Sequence, residues 1–152
     1  MKLWRLTRAP FVALDGRGAE LYGARYAPPG HPVVSFASEA GLAVLIALRY
    51  QPADPADAPD DLVLGWTAID TAPERVTDHD EVKIRAIVRE WLACCRSLFV
   101  AMPSKVLPEV DVIYMNPRHP DAAQVPPLTT RAFSFAECLH RPPMLDSYRS
   151  AP

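Results

Sequence analysis

The chain has 152 residues, 49% of them hydrophobic and 22% charged, with a formal net charge of −2. That length suits one domain over 1–152, and the composition is that of a globular protein able to bury a core. The charge balance excludes a field that draws nucleic acid or an anionic membrane, and the longest apolar run, around Leu42 to Leu48, falls well short of the ~20 residues that a membrane span requires.

The opening Met1-Lys2-Leu3-Trp4-Arg5 lacks the apolar stretch of a secretory signal, so the chain is expected in the cytoplasm. Leu3 to Leu6 alternates apolar and polar and reads as a first strand. Phe11 to Leu14 is a short apolar run, and Asp15-Gly16-Arg17-Gly18 a turn. Ala19 to Tyr22 leads into a loop. Val33 to Ala37 reads as a buried strand, and Ser38 as the cap of an apolar helix from Ala40 to about Tyr50, with Glu39 in its first turn. The helix is apolar nearly all round, which predicts burial on several sides.

Gln51 to Asp61, with three prolines and four aspartates, is a solvated loop. Leu62 to Ile69 is strand-like, with Gly65 a candidate bulge. Asp78 or Asp80 caps an amphipathic helix whose apolar positions are Val82, Ile84, Ile87, Val88, Trp91, Leu92 and Cys95. Leu98 to Met102 and Val110 to Met115 are strands, ended by Pro103-Ser104 and Asn116-Pro117, and Arg131 to Phe135 is a last strand or edge. A proline-rich tail occupies 141–152. The order of elements indicates α+β, with small mixed sheets and flanking helices. Three cysteines, two of them adjacent, form neither a disulfide framework nor a zinc pattern; they read as small apolar side chains. The four histidines have no metal-ligand spacing, and no metal is expected.

The stretch from Tyr22 to Ser35 carries the clearest functional signal. Gly23 and the Pro28-Pro29-Gly30 turn stiffen a loop on which Arg25 sits between Tyr22 and Tyr26. A guanidinium there can make a two-pronged contact with phosphate oxygens, or it can pair with an acidic neighbour. Ser35, Ser104, Asn116 and His119 also stand at strand ends, where loops often carry function. Ser104 and Asn116 are equally well explained as turn residues beside Pro103 and Pro117.

These pieces together resemble the RES domain family, named for its Arg, Glu and Ser residues. The resemblance rests on Leu3-Trp4-Arg5-Leu6, Asp15-Gly16-Arg17-Gly18-Ala19, Tyr22-Gly23-Ala24-Arg25-Tyr26, Pro29-Gly30-His31-Pro32-Val33-Val34, Trp91-Leu92, Met102-Pro103-Ser104, Tyr114 to Asp121 and Phe133-Ser134-Phe135. It covers about residues 3–139 in the right order. It implies an ADP-ribosyltransferase-like fold, a pair of small sheets around a nucleotide cleft. It also implies a bacterial toxin that consumes NAD+ as substrate, and an Xre-like helix-turn-helix antitoxin that covers the cleft.

Carried over, Arg25 matches the family arginine and Ser104 the family serine. Ser35 stands where the family often has Tyr, and Ile46 where it has the signature glutamate. Arg25 suits clamping of the pyrophosphate, with Arg25, Ser104 and Glu39 the candidate catalytic residues. Tyr26, Ser35, Ser104 and Asn116 join Arg25 as candidates for holding NAD+. Glu39, two turns before Ile46 on the same side of the helix, is the nearest carboxylate that can replace the missing one. Three outcomes remain open: NAD+ breakdown by water or phosphate, ADP-ribosylation of a target protein, and a degenerate domain that only binds nucleotide or antitoxin.

Overall fold

The computed structural model describes residues 1–54 and 57–138; the proline-rich tail and His140 lie outside the described residues. Among these residues seven strands form one mixed sheet in the order β4-β5-β6-β2-β1-β3-β7. They are β1 (Lys2–Arg8), β2 (Val34–Ala37), β3 (Leu62–Ala68), β4 (Glu74–Arg75), β5 (Phe99–Pro103), β6 (Asp111–Met115) and β7 (Thr129–Ala132). Among the described residues four α-helices accompany them: α1 (Arg17–Tyr22), α2 (Ala40–Leu48), α3 (Glu81–Cys94) and α4 (Phe135–Cys138).

The α+β reading holds, and the expected pair of sheets takes a particular form. β1 runs along β3 through seven consecutive residue pairs, from Lys2↔Ala68 to Arg8↔Leu62. β2 runs along β6 through four pairs, from Val34↔Met115 to Ala37↔Val112. Between these two halves, β1 and β2 share the single pair Trp4↔Ala37. The sheet is therefore continuous at one point and parted on either side of it.

α3 covers one half of the sheet. The Asp80 side chain accepts the Val82 and Lys83 N–H groups at 2.8 and 3.2 Å and so starts the helix. Ile84, Val88 and Trp91 then pack with Val33, Val100, Met102 and Tyr114. Trp91, fully buried, donates its indole N–H to Ser97 Oγ at 2.8 Å. Val82, counted on the apolar face, instead points outward and is exposed. α2 packs on β1 and β2. Only Leu42 and Ala43 of this helix are buried, while Leu45 and Leu48 are each 37% exposed, because the sheet covers one side alone. No helix among the described residues is long and apolar enough to cross a membrane.

Several local expectations are corrected. Ser38 does not cap α2: its Oγ accepts the Asp111 N–H at 3.0 Å, and Glu39 occupies the cap position without a side-chain bond. Gly65 is no bulge, since it stays in register with Arg5 and Thr130. It is glycine because a Cβ there would lie 2.9 Å from Leu128 Cδ1. The last strand ends at Ala132, and Phe135 begins α4. The cysteines are free, and Cys94 and Cys138 are exposed, so these two do not fill the core.

α1 and β4 were not visible in the sequence. α1 begins after Gly16, whose φ of +73° favours glycine, and a Cβ at Gly16 would stand 2.6 Å from the Val33 nitrogen. Gly16→Ala is predicted to cost about 1–3 kcal/mol through left-handed backbone strain, with the backbone clash adding to it. A urea unfolding midpoint equal to wild type would contradict this.

Candidate active site

Where β1 and β2 part, a cavity of about 570 Å³ opens, within the usual range for small-molecule sites. Its wall takes Trp4, Arg5, Leu6 and Thr7 from β1 and Ser35, Phe36 and Ala37 from β2. α2 and the residues after it add Ala43, Ile46, Ala47, Arg49 and Tyr50, and the β5–β6 connection adds Ser104, Lys105 and Val106. Arg25 and Tyr26 come from the loop after α1.

Among the described residues, four cationic side chains line this cavity (Arg5, Arg25, Arg49 and Lys105), and no Asp or Glu does. The chain as a whole carries net negative charge, so the concentration of positive charge is local.

Each cation is held differently. Arg5 bridges the gap between the strands: it donates to the Ser35 carbonyl at 3.2 Å and to the Phe11 carbonyl at 3.4 Å. Burial pulls its guanidinium down to about 10, with the charge of Asp15 opposing that shift. Arg25 stands on a tight turn closed by Ala24 N–H to Ala27 O at 2.8 Å and Ala27 N–H to Ala24 O at 3.2 Å. Its guanidinium lies 5.7 Å from the centre of the Tyr26 ring. Tyr26 is itself buried, its ring 6.2 Å from that of Tyr114. Burial pushes the Tyr114 phenol up to about 12, so it stays neutral and accepts the Tyr26 N–H at 3.4 Å. The Nε atoms of Arg5 and Arg25 are buried with no hydrogen-bond partner among the described residues. Such orphaned donors fit an anionic ligand that brings its own acceptors.

Glu81, the first residue of α3, ties two of the cations together. Its Oε1 accepts from the Arg25 guanidinium and from Lys105 Nζ, the latter at 2.9 Å. Arg85, one turn along, lies 3.8 Å from Oε2. The bonds from Lys105 and then Arg25 hold the Glu81 carboxyl down at about 2.

The sequence-predicted residues divide. Arg25, Tyr26, Ser35 and Ser104 all line the cavity. Ser104 is also a turn residue: its buried Oγ accepts the Val106 and Leu107 N–H groups at 3.2 and 3.3 Å. Asn116 does not reach the wall. It is 1% exposed, donates to the Leu92 carbonyl at 3.3 Å and accepts the Arg118 N–H at 3.0 Å. His119 Nδ1 accepts the Asp121 N–H at 3.1 Å and caps a 3-10 turn. Glu39 is exposed at the start of α2 and is absent from the wall. Ile46, expected from the resemblance to stand in place of the signature glutamate, does line the cavity. Arg5, Arg49, Lys105 and Glu81 were not singled out from the sequence. The Trp4-Arg5 motif was a signal for the first, and nothing local connects Glu81 to an arginine 56 residues earlier.

Two outcomes follow. The Glu81 carboxyl titrates lower in the folded chain than its ordinary value of 4.5. Its stabilising contribution is therefore complete above that value and is lost as pH falls toward about 2. Thermal melts of Glu81→Gln from pH 5 to pH 2 are expected to fall less steeply than wild type; parallel curves would contradict the ion cluster. Ser104→Ala, which orphans two backbone donors, is expected to cost about 1–3 kcal/mol in urea unfolding. No change in midpoint would show that the turn does not depend on the hydroxyl.

Comparisons with known proteins bear on the chain's family and fold. The model of the RES domain matches residues 2–136. A protein named Toxin Res from Photorhabdus laumondii is 31% identical over 133 residues, covering 80% of this chain and 85% of its own. Toxin Res from Pseudomonas putida is 28% identical over 141 residues, covering 80% and 88%. A chain of the crystal structure of the M. tuberculosis MbcT–MbcA toxin–antitoxin complex superposes with a TM-score of 0.68, at 18% identity, over 90% of this chain and 85% of that one. The family match spans both halves of the sheet and every residue that lines the cavity, and the chain belongs to the RES domain family.

Proposed function

We propose that this protein is the toxin of a toxin–antitoxin pair and that its cavity takes NAD+, breaks the nicotinamide–ribose bond and passes ADP-ribose to a target protein, water or phosphate. The observation that carries this reading is the cavity wall itself, which among the described residues has four cations, no carboxylate and two orphaned guanidinium donors. A diphosphate brings the negative oxygens those donors lack. The aromatic rings of Trp4 and Tyr22 on the same wall offer faces for the two heterocycles, while Tyr26, buried beneath the Arg25 guanidinium, supports that cation from below.

In this reading Arg25 and Lys105 hold the diphosphate, and Glu81 keeps the two cations in position without entering the cavity. Ser35 and Ser104 supply hydroxyls beside the ribose. The Ser104 hydroxyl already accepts from two backbone N–H groups, so its own proton remains for a ligand oxygen. Nicotinamide leaves as a neutral ring from a cationic one, so bond breaking needs orientation more than a strong acid. A carboxylate would steady the developing ribose cation, and losing one positioned electrostatic group typically costs about a hundred- to a thousandfold. Ile46 cannot provide it. That absence favours a slow, selective transfer to a protein that brings its own nucleophile over rapid destruction of NAD+. It also supports a second reading, a domain that binds nucleotide or antitoxin without turnover.

Tyr22 and Tyr50 line the cavity and are 76% and 70% exposed. A helix-turn-helix antitoxin of the Xre type seated over the opening would bury both rings, in keeping with a partner that silences the toxin.

Nicotinamide release by the purified protein, with and without cell lysate, tests the proposal. Release alone indicates breakdown by water or phosphate, and release only with lysate indicates a protein acceptor. No release under either condition would leave the binding module. Arg25→Ala removes a charged hydrogen bond worth about 1.5–3 kcal/mol, so NAD+ affinity is expected to fall about ten- to a hundredfold and growth arrest to disappear. Arrest at equal expression would contradict the role given to Arg25.

A further inference from the structure

Two serine hydroxyls face the ligand in the function proposed above, and they are held differently. The Ser104 hydroxyl is fixed by the two backbone N–H groups that it accepts. Ser35 projects from β2 with no such turn around it. A serine side chain there rotates among its staggered positions unless a neighbour holds it.

The neighbour is Tyr114. The register pairs Ser35 with Tyr114 across β2 and β6, which puts the two side chains on one face of the sheet with Cβ atoms about 4.5–5.5 Å apart. Both line the cavity, yet Tyr114 is only 2% exposed and offers a ligand little surface of its own. Its hydroxyl serves protein partners instead: it accepts the Tyr26 N–H at 3.4 Å and shares a hydrogen bond with the Ser35 side chain. With the Tyr26 N–H donated to the phenol oxygen, the phenol proton is available to Ser35 Oγ, and the serine keeps its own proton for a ligand oxygen. Arg5 completes the grip by donating to the Ser35 carbonyl at 3.2 Å. The Tyr26 bond is long, and the loop that carries it is closed independently by the two Ala24–Ala27 bonds.

We propose that Tyr114 is a positioning residue, whose buried hydroxyl donates to Ser35 Oγ and so aims the Ser35 proton into the cavity, toward a ribose oxygen of the ligand. This rests on the dinucleotide reading given above and adds to it a residue that acts through Ser35.

Calorimetric titration of ADP-ribose into the wild type, Tyr114→Phe, Ser35→Ala and the double variant tests it, with a urea unfolding curve for each protein. Phenylalanine keeps the ring that packs against Tyr26 and removes the hydroxyl alone. Each single substitution is expected to weaken binding about five- to tenfold, the worth of one hydrogen bond. The double variant should bind within about twofold of Ser35→Ala, because the phenol then has nothing to aim. Losses that multiply in the double variant, or an unchanged affinity in Tyr114→Phe, would overturn the proposal and leave the dinucleotide reading standing. Failure of Tyr114→Phe to fold would overturn it too, by making the hydroxyl a bond that the core requires. No binding of ADP-ribose by the wild type would overturn both.

Discussion

A guanidinium stands where two strands part. β1 and β2 meet at Trp4↔Ala37 alone, and next to that pair Arg5 reaches across to the Ser35 carbonyl. The bond replaces a ladder that the diverging strands cannot continue. It costs desolvation of a charge, visible in the depressed titration of Arg5 and opposed by Asp15. Loss of the Arg5 charge would leave both the strand gap and the Phe11 carbonyl without their donor. The cavity exists because the strands separate, and its floor is positive because an arginine closes the separation.

The remaining charge is arranged around that opening by elements folded for other reasons. α3 docks through Ile84, Val88 and Trp91, and its Asp80 cap makes Glu81 the first helical residue. The docking thereby sets one carboxylate against Arg25 and Lys105 from outside the wall. Tyr114, buried on β6, accepts the Tyr26 N–H, and Tyr26 in turn lies beneath the Arg25 guanidinium. Packing of the core thus fixes a cation that the Ala24–Ala27 turn presents. In the function proposed above, Glu81 gathers these two donors beside the cavity until a negatively charged ligand takes them over.

Much of the fold was legible in the sequence. Alternation around Leu3-Trp4-Arg5-Leu6 and the apolar runs before Pro103 and Asn116 marked strands that are present. Helical spacing after Asp80 marked α3. α1 and β4 were hidden because six and two residues are too few to show a period. Of the candidate site, motif and loop chemistry pointed to Arg25, Tyr26, Ser35 and Ser104, which the fold brings to one cavity wall. Asn116 is a polar residue beside a proline turn that serves the core, and Glu39 remains at the surface. Arg49, Lys105 and Glu81 escaped notice because their importance comes from tertiary convergence. In the sequence each is an ordinary charged residue at the end of an element.

The most direct test of this account is a structure of the protein with ADP-ribose bound. The account predicts the diphosphate inside the cavity, within hydrogen-bond distance of Arg25 and Lys105, with the Arg25 guanidinium turned from Glu81 toward the phosphate oxygens. A ligand held elsewhere, or in the cavity with its phosphates away from these cations, would contradict it.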